Sequence, residues 1–215
     1  MKKAVLFDMD GTILDTLSDL RDSINAVLEM NGFPVHSTDE VRSFVGNGLR
    51  KLAERAVPAG TKPGTIEKVY CDLLAYYQAH CMDSTKPYPG IPELLRELRS
   101  RGCRTAVISN KADAAVRELD ARFFAGCFDG ELGARDGVRL KPDREMADIV
   151  LAQLGVPAAE AVYVGDSEVD LALAANAGLD CVAVTWGFRE RSVLENHGAE
   201  KLADSPEELL RILLA

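Results

Sequence analysis

Asp8 and Asp10 stand two residues apart at the end of the apolar run Ala4-Val5-Leu6-Phe7, and Gly11 and Thr12 follow at once. Side chains alternate along a strand, so two acids at this spacing leave the backbone on one side, where one can act while the other assists. Gly11 permits the sharp turn away from them. Two further apolar runs end in polar groups: residues 105–108 lead into Ser109 and Asn110, and residues 161–164 into Gly165, Asp166 and Ser167. Asp170 comes four residues after Asp166, one helical turn on, and Lys141 stands before Pro142. Gathered at one point, Asp8, Asp10 and Asp166 would repel one another by about 4 kcal/mol per pair at ~4 Å and an effective dielectric of ~20. Such a cluster needs a cation, and oxygen-only ligands in an open, hydrated site favour Mg²⁺ over zinc. Lys141 adds a positive point charge. The Ser109 hydroxyl, with backbone N–H groups at a helix start, can hold phosphate oxygens, so the set suits a phosphate dianion.

These groups can meet only if the runs that carry them are strands of one sheet. In an open α/β sheet ligands lie outside the carboxyl ends of the strands, and polar strand ends far apart in sequence then form one site. The pattern fits such a sheet. From residue 91 onward helix and strand alternate: a helix to 101, a strand over 103–109, a helix over 112–121, a short strand over 127–130, and a helix opened by Pro142 and running to 154. A strand over 161–165, a helix over 168–177 ended by Gly178, a strand over 181–184 and a last helix from Pro206 complete the series. Before residue 91 the rhythm is different. Residues 15–31 carry Leu17, Leu20, Ile24, Val27 and Leu28 on one helical stripe, with Asp15 or Thr16 as the N-cap, and further helical stretches fall over 39–44, 47–57 and 65–82. About seventy residues of helix is too much for a simple crossover, which needs a dozen or more. The expected architecture is a doubly wound, mainly parallel Rossmann-like core, residues 1–15 and 85–215, with an inserted helical cap subdomain over 16–84.

Composition narrows the function. With 34 acidic against 25 basic residues the net charge is −9, and no Lys/Arg stripe is present to follow a nucleic-acid backbone. No run approaches the eighteen or so apolar residues of a membrane span, and the start lacks the pattern of a signal peptide, so a cytoplasmic protein without membrane partners is expected. The five cysteines are scattered without a C-x-x-C pair, which predicts buried, reduced thiols, and the three histidines have no ligand spacing.

Taken singly, an acid at a strand end is a solvated cap and a lysine before proline a surface residue. Taken in order, the groups resemble the haloacid dehalogenase-like phosphatase superfamily over almost the whole chain. Asp8-Met9-Asp10-Gly11-Thr12 is similar to its first motif, Ser109 to the second, Lys141 to the third, and Gly165-Asp166-Ser167-Glu168-Val169-Asp170 to the fourth. The resemblance implies that Asp8 is the nucleophile, forming a phosphoaspartyl intermediate, and that Asp10 protonates the leaving alcohol and then activates water. It implies Mg²⁺ on the Asp8 carboxylate, the Asp10 backbone carbonyl and Asp166, with Asp170 bracing them. The loop Val45-Gly46-Asn47-Gly48-Leu49-Arg50, the segment Pro87-Tyr88-Pro89-Gly90 and the triplet Ser109-Asn110-Lys111 resemble phosphoglycolate phosphatases. On that basis Thr12, Asn47, Arg50 and Asn110 are expected to bind substrate, a small phosphorylated metabolite, in a monomer or homodimer. The alternatives are a β-phosphoglucomutase-like isomerase, against which Thr12 argues, a pyrophosphatase or nucleotidase of the same superfamily, and a non-catalytic relative, disfavoured because no motif acid is missing.

Overall fold

A computed structural model describes residues 2–215. Strand β1 (Ala4–Phe7) is wholly buried, and the chain leaves the core after the short strand β2 (Leu14–Asp15) and returns at β3 (Lys86–Pro87). Two compact units result, one comprising the N-terminal segment to Asp15 with Pro87–Ala215, the other Thr16–Lys86.

The second unit is helical: α1 (Leu17–Met30), α2 (Thr38–Phe44), α3 (Gly48–Ala56) and α4 (Pro63–His80). Its core forms because the α1 stripe Leu20, Ile24, Val27 and Leu28 is buried together with Val41, Leu52, Val69 and Leu73. Thr16 occupies the N-cap position of α1 but makes no capping bond with its side chain, contrary to the sequence expectation. Ser37 does cap α2, in a reciprocal box with Glu40.

In the first unit α5 (Ile91–Ser100), β4 (Arg104–Ala112), α6 (Asp113–Phe123), β5 (Gly130–Ala134), α7 (Glu145–Leu154), β6 (Ala161–Gly165), α8 (Glu168–Ala177), β7 (Asp180–Val184), α9 (Arg191–Asn196), β8 (Leu202–Ala203) and α10 (Pro206–Leu214) follow one another. The six-stranded sheet has the order β5-β4-β1-β6-β7-β8, and every pairing is parallel. Alternation along the strands places Ala4, Leu6, Ala106 and Ile108 in one core layer with Met146, Val150 and Leu173. The chain winds outward from β1 in both directions, so the crevice at the carboxyl end of β1 lies between β4 and β6. Phe7 is level with Val107 on one side and Val164 on the other, which brings the residues just beyond them to a common edge.

The structure moves several predicted boundaries. The strand expected over 127–130 is β5, three residues later, because the Asp129 carboxylate accepts the Thr105 N–H at 2.9 Å and the ladder begins only at Gly130 opposite Ala106. The helix expected to open at Pro142 starts at Glu145. Asp143 donates its N–H to Leu140 in a turn, and its carboxylate then accepts the Glu145 N–H. The short helix α9 and strand β8 lie beyond what periodicity indicated, since neither is long enough to carry a pattern. All five cysteines are free, but Cys71 is exposed, not buried as expected, and Cys127 and Cys181 are half-buried. Burial pushes the Cys103 thiol up to about 11 and that of Cys181 up to about 12, which keeps both protonated. Among the described residues, no helix is long and apolar enough to cross a membrane.

One packing contact in this unit makes stability pH-dependent. Burial between α6 and β5, and then the hydrogen bond and charge of Glu131, push Asp120 up to about 7. The folded state therefore holds a proton that the unfolded chain releases near pH 4, so the contribution of this group to stability falls as pH rises from about 4 to about 7. Asp120→Asn is expected to raise the melting temperature at pH 8 and to lose that advantage at pH 4.5. Thermal unfolding at both pH values checks it, and a gain confined to pH 4.5 would contradict the assignment.

Candidate active site

Asp8 follows β1 directly and donates its N–H to the Val164 carbonyl at 2.9 Å, which extends the pairing with β6 and holds the residue at the sheet edge. Its Oδ1 accepts the Met9 N–H at 2.7 Å and lies 2.8 Å from the Lys141 ammonium. Lys141 is 2.7 Å from Asp170 Oδ1 and 3.1 Å from the Tyr163 hydroxyl. Its backbone is clamped by Asn110, whose Oδ1 accepts the Lys141 N–H at 2.9 Å while its Nδ2 donates to the Lys141 carbonyl at 3.1 Å. Asn110, expected to bind substrate, thus has both ends of its amide engaged in holding Lys141.

The carboxylates from β6 and α8 are built into the backbone around them. Asp166 accepts the Phe188 N–H at 2.7 Å and the Thr12 hydroxyl at 3.4 Å. Gly11, at φ +84°, and Gly187 lie so close to its side chain that a Cβ at either position would collide with it. Asp170 is the capping-box residue of α8, its Oδ2 accepting both the N–H and the hydroxyl of Ser167. The hydroxyl of Tyr163 lies 3.2 Å from Asp170 Oδ1 and 3.2 Å from the Ile108 carbonyl. Among the described residues, oxygens of Asp8, Asp166 and Asp170 lie within 4.8 Å of one another, and all three residues are buried. The side chain of Asp10 stands outside that group.

Three buried carboxylates face the ammonium of Lys141, and the Arg189 guanidinium acts on Asp166 and Asp170 as well, so acids outnumber cations at the centre. Burial pushes Asp8 up to about 7, with Lys141 opposing the rise and Asp170 and Asp10 adding to it. Asp166 is pushed well above the usual carboxylate range by burial, then by Asp170 and Asp8. Burial disfavours the charge on Lys141, but Asp170 and Asp8 outweigh it and hold its pKa above the lysine range. The donor set is all oxygen, and the excess charge is what a divalent cation relieves, so the residues present fit Mg²⁺.

Asp10 lies in the turn after β1, its Oδ1 2.9 Å from the ammonium of Lys111. Ser109 is buried in β4, and its hydroxyl accepts the Lys111 N–H at 3.2 Å. In the helical unit, Asn47 precedes α3 and its Oδ1 accepts from Arg55 at 2.8 Å. Arg50 forks onto Glu67 at 2.6 and 3.1 Å, with its guanidinium 4.1 Å above the Tyr70 ring. Sequence reasoning quoted Lys111 in the triplet Ser109-Asn110-Lys111 without giving it a role and passed over Tyr163, though each had a signal. Lys111 is two residues beyond Ser109, on the same side of the strand, and Tyr163 is the one polar handle in the run Ala161-Val162-Tyr163-Val164. Phe188 acts through its N–H and leaves no signal in residue types.

Residues 5–184 match the family described as haloacid dehalogenase-like hydrolase. The chain belongs to that family, and within it is a phosphatase of the phosphoglycolate phosphatase-like kind. It is 33% identical over 205 residues to the phosphoglycolate phosphatase of Caulobacter vibrioides, covering 94% of this chain and 86% of that protein. It is 32% identical over 213 residues to the N-acetylmuramic acid 6-phosphate phosphatase of Pseudomonas aeruginosa, covering 98% and 94%. A crystal structure from Lactobacillus delbrueckii subsp. bulgaricus, provisionally assigned as a phosphoglycolate phosphatase, superimposes with a TM-score of 0.95 at 35% identity, covering 99% of each chain.

Proposed function

We propose that the protein hydrolyses a small phosphomonoester, 2-phosphoglycolate above all, through a phosphoaspartyl intermediate on Asp8. The observation that carries this reading is the placement of the buried Asp8 carboxylate 2.8 Å from Lys141, with a second acid, Asp10, two residues on. An Asp8 oxygen attacks phosphorus and the ester P–O bond breaks, while the Asp10 carboxylic acid gives its proton to the departing alkoxide. Asp10, now a carboxylate, takes a proton from water. The oxygen of that water attacks phosphorus, the bond to Asp8 breaks, and phosphate leaves. Lys141 holds Asp8 in place and offsets charge as the phosphoryl group transfers, and the Ser109 hydroxyl and nearby backbone N–H groups suit its oxygens.

Mg²⁺, when bound, neutralises charge between Asp8 and the phosphate. Its proposed ligands are the Asp8 carboxylate, the Asp10 backbone carbonyl and Asp166. The commitment of both Asp170 oxygens to Lys141, Tyr163 and Ser167 supports leaving Asp170 to brace the others. In this reading the helical unit Thr16–Lys86 selects the leaving group as a cap, and the protein works in the cytoplasm.

The test is phosphate release with Mg²⁺ from a panel of 2-phosphoglycolate, N-acetylmuramic acid 6-phosphate, β-glucose 1-phosphate, pyrophosphate, nucleoside monophosphates and an aryl phosphate, with a chelator control. Preferred turnover of 2-phosphoglycolate, lost on chelation, is expected. Preference for another ester keeps the reaction and overturns the substrate, whereas no release from any ester overturns both.

A further inference from the structure

We infer that Lys111 is a positioning residue for Asp10, aiming its carboxyl group at the leaving oxygen of the substrate. The inference rests on reading Asp10 as the proton donor and acceptor of the proposed reaction.

Asp8 is fixed by the sheet, but Asp10 is not. It lies beyond the end of β1, in a turn closed by the Thr12 and Ile13 N–H groups on the Met9 carbonyl, and its side chain is 21% exposed. Left to rotate about χ1 and χ2, such a carboxylate would occupy several orientations, of which proton transfer can use only a narrow set. The 2.9 Å contact with the Lys111 ammonium selects one.

Lys111 is itself held with unusual rigidity for a lysine. Its side chain is only 4% exposed, so its long stem has little rotamer freedom left. Its backbone lies in β4, which continues through Ala112 to pair with Ala134 of β5. Its N–H is taken by Ser109, and its carbonyl packs against Gly133 so closely that a Cβ there would lie 2.7 Å from it. The Gly133 N–H is in turn donated to Asp113 at 2.9 Å, which fixes the other side of the contact. β4 thus delivers an ammonium to Asp10, which neither a strand of the sheet nor a helix cap holds. A buried ammonium is costly to keep, and a surface position would avoid that cost, so its placement against Asp10 calls for a role.

Leaving-group dependence separates this role from a structural one. An alkyl phosphate needs its leaving oxygen protonated, whereas an aryl phosphate expels a phenolate that needs little help. Since kcat/KM reports only the steps through cleavage of the ester bond, Lys111→Met is expected to lower it about 30-fold for 2-phosphoglycolate and for ethyl phosphate, but only about 3-fold for p-nitrophenyl phosphate. Lys111→Arg should recover part of the loss. An equal fall for all three esters overturns the inference in favour of a structural role. A fall for 2-phosphoglycolate without one for ethyl phosphate overturns it in favour of direct contact with the substrate carboxylate. Circular dichroism and thermal unfolding of the variants establish that each is folded. If the unaltered protein releases phosphate from none of the esters, the proposed function fails, not the placement of Lys111.

Discussion

Asp8→Asn is expected to reduce phosphate release on the order of a thousandfold or more while leaving the protein folded. The amide has the shape of the carboxyl group but lacks a nucleophilic oxygen of comparable strength, so no phosphoaspartyl bond can form. The fold should tolerate the change. Asp8 is pushed up to about 7 by burial, so keeping this carboxylate ionised is already unfavourable, and Lys141 retains Asp170 at 2.7 Å. The melting temperature should therefore change little at pH 8. Two measurements decide it: steady-state turnover of the preferred ester, and recovery of ³²P-labelled protein after acid quench during turnover, expected for the unaltered chain and absent from the variant. Retention of more than trace activity, or of label, would show that phosphorus is attacked by another group.

Lys141→Met should produce the largest loss of stability. The ammonium is buried between Asp8 at 2.8 Å and Asp170 at 2.7 Å, and removing it leaves two desolvated carboxylates facing each other. Breaking a buried pair in this way costs about 3–5 kcal/mol, or roughly 10 °C in melting temperature for a chain of this size. The sign of the pH dependence follows from Asp8. Its folded pKa is raised to about 7, and the loss of Lys141 raises it further, so the variant gains stability as pH falls and the protein takes up a proton. The deficit against the unaltered chain should be greatest near pH 8 and shrink towards pH 5.5. Added Mg²⁺ should narrow it at pH 8, because a cation bound by the same acids replaces part of the missing charge. Melting curves at the two pH values, with and without Mg²⁺, test all three statements. An unchanged melting temperature at pH 8 would mean that the ion pair contributes nothing to folding.

Residues of the site differ in how much of their placement neighbouring sequence carries. Asp8 and Asp166 were legible because each ends an apolar run, and a parallel strand buried on both faces must be such a run. Gly178, which ends α8 in the left-handed conformation, and the stripe of α1 were legible for the same reason: local backbone geometry and short periodicities are written in neighbouring residues. Asp129 captures the Thr105 N–H of a neighbouring strand, so the start of β5 moves for a reason no local pattern contains, whereas Asp143 captures the Glu145 N–H two residues on, a local turn that competes with the helix start expected at Pro142.

By itself, then, the sequence determined a parallel α/β core, the strand ends that carry its acids, and membership in a family of hydrolases. Only the tertiary structure decided what those acids touch. Asn110 clamps Lys141 across 31 positions of sequence, Lys111 reaches Asp10 across 101, and Phe188 offers a bare N–H to Asp166 across 22. Arg50, which in sequence is simply a cation after a glycine loop, is held by Glu67 and Tyr70 from a neighbouring helix. The physical reason is that hydrophobic periodicity constrains which face of an element is buried, whereas a hydrogen bond of 3 Å or less depends on the order and register in which elements pack.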